Sequence, residues 1–321
     1  MCSSDLEGQN TLTKEGIRVP ATASLTIEGT GQLHVHNNRN YSVGIGANYN
    51  DPYGTIILNT SGAVTIHSSG DKVVCIGGGR SAGDGIHILQ GNCTLSASGI
   101  NVVGIGSAAG KADIHITDTA LSVHGEGNEV MLIGSVTGDA QVRLSGDIQL
   151  SSACERVTGL GTLAGTADVL VEGGSLSAAL NCDVGAIIGT FDGEASVRIR
   201  DTRIMLHGEG NRVAGFGSIS GACDTRVESG DIRGELLAGE RLLLGNANSR
   251  FIVTGGNFQI FSDVSARPVS PAGQPLFFLN PKEDHFEQTF SDKRETWTYT
   301  ADRDPDGHLG VWIPAENKPS A

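Results

Sequence analysis

Aromatic side chains are scarce: nine Phe, four Tyr and two Trp in 321 residues. Between residues 54 and 250 only Phe191 and Phe216 occur. That excludes a core built on large rings and leaves most of the chain without platforms for stacking sugars or bases. Basic residues are few as well. There are 22 Lys and Arg against 36 Asp and Glu, a net charge of −14. A surface of that sign repels phosphate, so neither nucleic acid nor anionic lipid is an expected partner. No run approaches the roughly 18 apolar residues of a membrane-spanning helix, so membrane insertion is not expected. Apart from Cys2, the cysteines are Cys75, Cys93, Cys154, Cys182 and Cys223. An odd and sparse set is not a disulfide framework.

Residues 1–6, Met-Cys-Ser-Ser-Asp-Leu, spell what a common short-read sequencing adapter encodes after a start codon. They are read as an adapter-derived artefact of a metagenomic fragment and set apart from the fold. Any secretion signal would then have preceded the fragment.

Glycine is what the chain has in abundance: 46 residues, roughly twice the usual share of about 7%. A short apolar motif ending in Ile-Gly, or a close variant, places Gly46, Gly77, Gly106, Gly134, Gly161, Gly189, Gly217 and Gly245 at intervals of 31, 29, 28, 27, 28, 28 and 28. Each period carries two further alternating segments, such as Ile114-His115-Ile116 and Leu121-Ser122-Val123. Alternation at period two marks half-buried strands. A glycine or Asp-Gly break every six to ten residues excludes helices. Three short strands per period of about 28 describe one coil of a three-faced parallel β-helix. The expectation is an all-β solenoid of about nine coils over residues 7–261. Residues 262–321 hold most of the prolines and both tryptophans. They are expected to form a small β cap that covers the unpaired edge of the last coil.

The stretch Gly16-Ile17-Arg18-Val19-Pro20, Leu25-Thr26-Ile27-Glu28-Gly29 and Val43-Gly44-Ile45-Gly46 resembles glycine-rich β-helices of surface proteins from anaerobic Gram-positive bacteria. These are often labelled carbohydrate-binding-domain-containing. The tail, with Asp304-Pro305-Asp306-Gly307 and Gly310-Val311-Trp312-Ile313-Pro314, is similar too. The resemblance implies a right-handed solenoid, an extracellular or cell-surface location and a glycan as ligand.

The first strand points its middle residue outward. Down the stack this position reads Ile57, His87, His115, Arg143, Leu170, Arg198 and Arg226. His87, His115, Arg143, Arg198 and Arg226 therefore form a candidate basic stripe for an anionic polysaccharide. The competing reading is local neutralisation by Glu172, Asp201 or Glu228. Asp113, Asp168 and Asp224 share another column, read as turn and solubilising residues. No catalytic residue, metal site or cofactor is expected. The pentapeptide His-Gly-Glu-Gly-Asn at 124–128 recurs at 207–211, 83 residues on and close to three coils. Cys154 and Cys182 lie 28 apart, which makes them stacked neighbours within reach of a disulfide, although free thiols are an equal alternative.

The functional expectation is a non-catalytic secreted or cell-surface module, a stalk or adhesin that binds acidic polysaccharide. The alternative is a polysaccharide lyase or glycoside hydrolase on the same fold, which would require convergent carboxylates. Edge-to-edge self-association through the N-terminal coil is a further expectation.

Overall fold

The computed structural model describes residues 2–79, 83–242, 250–253, 257–262, 287–290, 295–300 and 311–314. These form strands, turns and bends without a helix. The first coil consists of β1 (Cys2–Leu6), β2 (Gln9–Thr13) and β3 (Ile17–Arg18). The second consists of β4 (Ser24–Gly29), β5 (Gln32–Asn37) and β6 (Ser42–Gly46). The corners then straighten, and β7 (Thr55–Ser69) covers two sides of a coil before β8 (Lys72–Gly78) supplies the third. From β9 (Gly85–Ala109) through β10 (Ala112–Thr137), β11 (Ala140–Glu172) and β12 (Ser175–Arg200), ladder pairing continues around the corners. The solenoid goes on through β13 (Thr202–Ser218), β14 (Cys223–Val227), β15 (Gly230–Leu242), β16 (Arg250–Val253) and β17 (Asn257–Ser262).

Every pairing among β1–β17 is parallel, each strand lying on its equivalent one coil away. The third ladder runs from Arg18 through Gly46, Gly77, Gly106, Gly134, Gly161 and Gly189 to Gly217. That gives about eight turns with all three strands described. Gly245, the expected next rung, lies outside the described residues. Residues 2–6, set apart in the sequence reading, lie in parallel register with β4, with Leu6 buried. An open ladder edge accepts any extended segment, because its bonds are to backbone.

Inward positions stack like on like. Ile56, Ile86, Ile114, Val142, Val169 and Val197 line one wall, and Ile45, Ile76, Ile105, Ile133, Leu160, Ile188 and Phe216 another, all buried. The third strand is apolar on both sides. Val74, Val103 and Met131 point away from the bore yet are buried, covered by Val136 and Leu163 from the turns that follow the glycine ladder. This double burial explains the continuous apolar run Val130-Met131-Leu132-Ile133, where a half-exposed strand would alternate. From Gly106 to Gly217 each ladder glycine is followed by Ser or Thr, and hydroxyls at this position tie down those turns. Ser135 Oγ donates to the Gly110 carbonyl at 2.8 Å, and Thr162 Oγ1 to that of Gly138 at 2.9 Å. Two sides of the rod are thus left to solvent: those of the first and second strands.

The expected cap falls mostly outside the described residues. Within 262–321, β18 (Glu287–Phe290), β19 (Glu295–Thr300) and β20 (Val311–Pro314) form an antiparallel sheet of their own.

Candidate functional site

The outward column of the first strand is in the register that the repeat implies. Ile57 pairs with His87, His87 with His115, and His115 with Arg143. Leu170 pairs with Arg198, and Arg198 with Arg226. Leu170 therefore divides the stripe into a His-His-Arg group and an Arg pair. The His87 and His115 rings lie 5.3 Å apart, tilted by 54°. Burial, followed by the neighbouring His115, holds His87 below the usual histidine range, while Asp113 opposes that shift.

A column with acids at Asp113, Asp168 and Asp224 runs beside the stripe, two residues upstream of it. Asp113 pairs with Gln141, Asp168 with Ser196, and Ser196 with Asp224. Asp113 lies 3.3 Å from the His115 ring, and Asp168 3.9 Å from the Arg198 guanidinium. The neutralising partners are thus Asp113 and Asp168. Glu172, one of the acids expected in that role, pairs with Arg200 at 2.8 Å instead. Exposed pairs of this kind are worth about 0–1 kcal/mol, so they leave the cations available to a ligand.

The second-strand side carries a column that the sequence reading did not identify. Its stations are Thr13, His36, His67, Ser96, His124, Ser151, Ala179, His207 and Glu235. The His36 and His67 rings stack at 5.0 Å. His124 contacts Ser151 at 2.8 Å and Glu126 at 3.0 Å, and His207 contacts Glu209 at 2.9 Å and Glu235 at 3.3 Å. The two His-Gly-Glu-Gly-Asn segments stand on one side of the rod, three coils apart, as their spacing implies. They lie within strands, not at isolated turns. Their first glycines, Gly125 and Gly208, face inward, where an added Cβ would press on Val130 and Val213. The signal was present in the sequence: His36, His67, His124 and His207 each precede a ladder glycine (Gly46, Gly77, Gly134 and Gly217) by ten residues.

Comparison with protein-family models, curated proteins and solved structures finds no match to this chain. Among the described residues, no three His, Cys, Asp or Glu side chains group as metal ligands would. Cys154 and Cys182 are register partners, as the coil alignment requires, and both thiols are free. Phe216 is buried in the bore, while Phe191 lies under the Arg156 guanidinium at 4.4 Å.

Proposed function

We propose that the chain is a non-catalytic module of a secreted or cell-surface protein, a rod that holds an acidic polysaccharide along its basic column. The carrying observation is the register of His87, His115 and Arg143, followed after Leu170 by Arg198 and Arg226, on one solvent-facing side. Neighbouring stations stand about 4.8 Å apart along the rod. A polyuronate lying across the coils would exchange its counterions for these side chains. The alternative, a lyase or hydrolase, needs carboxylates that converge on one bond. Here Ser196 stands between Asp168 and Asp224, which puts the two acids about 10 Å apart.

Calorimetry with polygalacturonate tests the proposal. Binding is expected at low ionic strength and should weaken as salt rises, because exposed charges are screened over about 8 Å at physiological ionic strength. The double variant Arg198→Ser/Arg226→Ser should lose binding and keep its melting temperature, since both side chains point outward. Absence of binding by the unaltered chain overturns the proposal.

A further inference from the structure

The first two coils enclose a cleft of about 230 Å³ away from the basic column. Ligand pockets start at roughly 300 Å³ for drug-sized molecules, so this one has room for a single small ring. Three cations reach it: Lys14 from the turn after β2, Arg18 from the end of β3, and Arg39 from the turn after β5. Its one acid, Glu15, is engaged by Arg39 at 3.1 Å. Neither Lys14 nor Arg18 has a carboxylate within ion-pair distance among the described residues. In a chain of net charge −14 this is a local reversal of sign. The flanking acids Asp51 and Asp71 are occupied by the amides of Asn48 and Asn40.

Two residues that line the same cleft carry buried polar atoms without partners. Asn37 is 2% exposed, and its amide nitrogen donates to the Val43 carbonyl at 3.3 Å. That bond identifies the remaining amide atom as the oxygen, and Oδ1 has no donor. Ser42, 8% exposed, leaves its hydroxyl unpaired. An unmet buried polar group costs about 1–3 kcal/mol.

The aromatic wall is Tyr41, 51% exposed, with Tyr49 packed edge-on at 5.4 Å and the Lys72 ammonium 5.9 Å from its ring centre. Tyr41 holds φ at 60° and Lys14 at 78°. Two of the four non-glycine residues with positive φ among those described thus line this one cleft. Backbone strain of this kind concentrates where a chain must present side chains to a ligand.

We infer that the cleft binds one carboxylated sugar residue of the hexuronate class. Arg18 and Lys14 take the carboxylate, and Tyr41 takes a C–H face of the ring. The inference does not depend on the basic column, and the two can fail separately.

The test is calorimetric titration of the whole chain with galacturonate, galactose and acetate, followed by short oligogalacturonates. Galacturonate is expected to bind one per chain, with galactose and acetate each weaker by about tenfold or more. Arg18→Gln should lower galacturonate affinity by about tenfold or more, as loss of a charged hydrogen bond does. Tyr41→Asn should lower it too, and asparagine tolerates the left-handed backbone. If Tyr41→Asn alters the melting temperature, Arg18→Gln alone decides. One oligogalacturonate end bound per chain identifies a polymer terminus as the natural source; binding of the monosaccharide alone identifies a free acid. Arg198→Ser/Arg226→Ser should leave this binding unchanged. No galacturonate binding, or binding that Arg18→Gln leaves intact, overturns the inference.

Discussion

Gly134 lies directly under the backbone of Gly161 in the next coil: the two are register partners, and a Cβ built on Gly134 would overlap the Gly161 carbonyl oxygen. Its φ of 144° is also one that L side chains avoid. Gly134→Ala should therefore destabilise through both strain, about 1–3 kcal/mol, and overpacking, about 1–3 kcal/mol. A urea melt should show a clearly lowered midpoint. Gly173, which has open space around it, is the control: its alanine variant should lose only the strain contribution.

The inner corner of the second strand exchanges volume between two positions. Gly125, Ser152, Leu180 and Gly208 occupy one station in successive coils, and Val130, Val157, Gly185 and Val213 the station across the corner. Where the first is large, the second is glycine. Gly125→Leu alone should be destabilising by about 1–3 kcal/mol, because the added side chain meets Val130. Adding Val130→Gly should restore part of the loss. A double-mutant cycle by thermal melting reads the coupling, and strict additivity would contradict the exchange.

Burial pushes the Cys154 thiol up to about 11 and the Cys182 thiol, with added contributions from Cys154 and Asp183, up to about 12. Thiolate is the reactive form, so both should alkylate at least about tenfold more slowly in the folded chain than in urea. Cys154, the more exposed and less shifted of the two, should be modified first. Peptide mapping after brief iodoacetamide treatment at pH 8 checks the order.

His87 has a folded pKa below its unfolded value. Above both values it contributes nothing to pH dependence. As pH falls below about 6.5, the unfolded chain takes up the proton first, and stability is lost until the folded value is passed. Melting temperatures of the unaltered chain and of His87→Gln, compared between pH 7.5 and 5.5, should diverge. The unaltered chain should lose more on acidification.

The coil was legible because glycine and isoleucine recur at one phase, and that phase alone places Phe216 inside and Cys154 beside Cys182. The cover over the third strand was not legible. A run such as Val73-Val74-Cys75-Ile76 announces double burial but does not say which turn supplies the second side. The partners of the basic stripe were missed for a related reason: reach depends on whether an acid lies two residues upstream in the same strand, as Asp113 does for His115, at that station one coil away, as Asp168 does for Arg198, or past the corner, as Glu172 does. The cleft by Tyr41 was hidden because Lys14, Arg39 and Tyr41 come from turns, where the repeat constrains neither length nor direction.

Because each coil touches only the coils before and after it, the solenoid behaves as a linear chain of coupled units. An interior coil is held by two interfaces and a terminal coil by one, so loosening starts at the ends and travels inward. A lesion near the middle, such as the one at Gly134, would cut that chain of couplings. The two halves should then melt as separate transitions, which turns a single substitution into a measure of how far cooperativity extends along the axis.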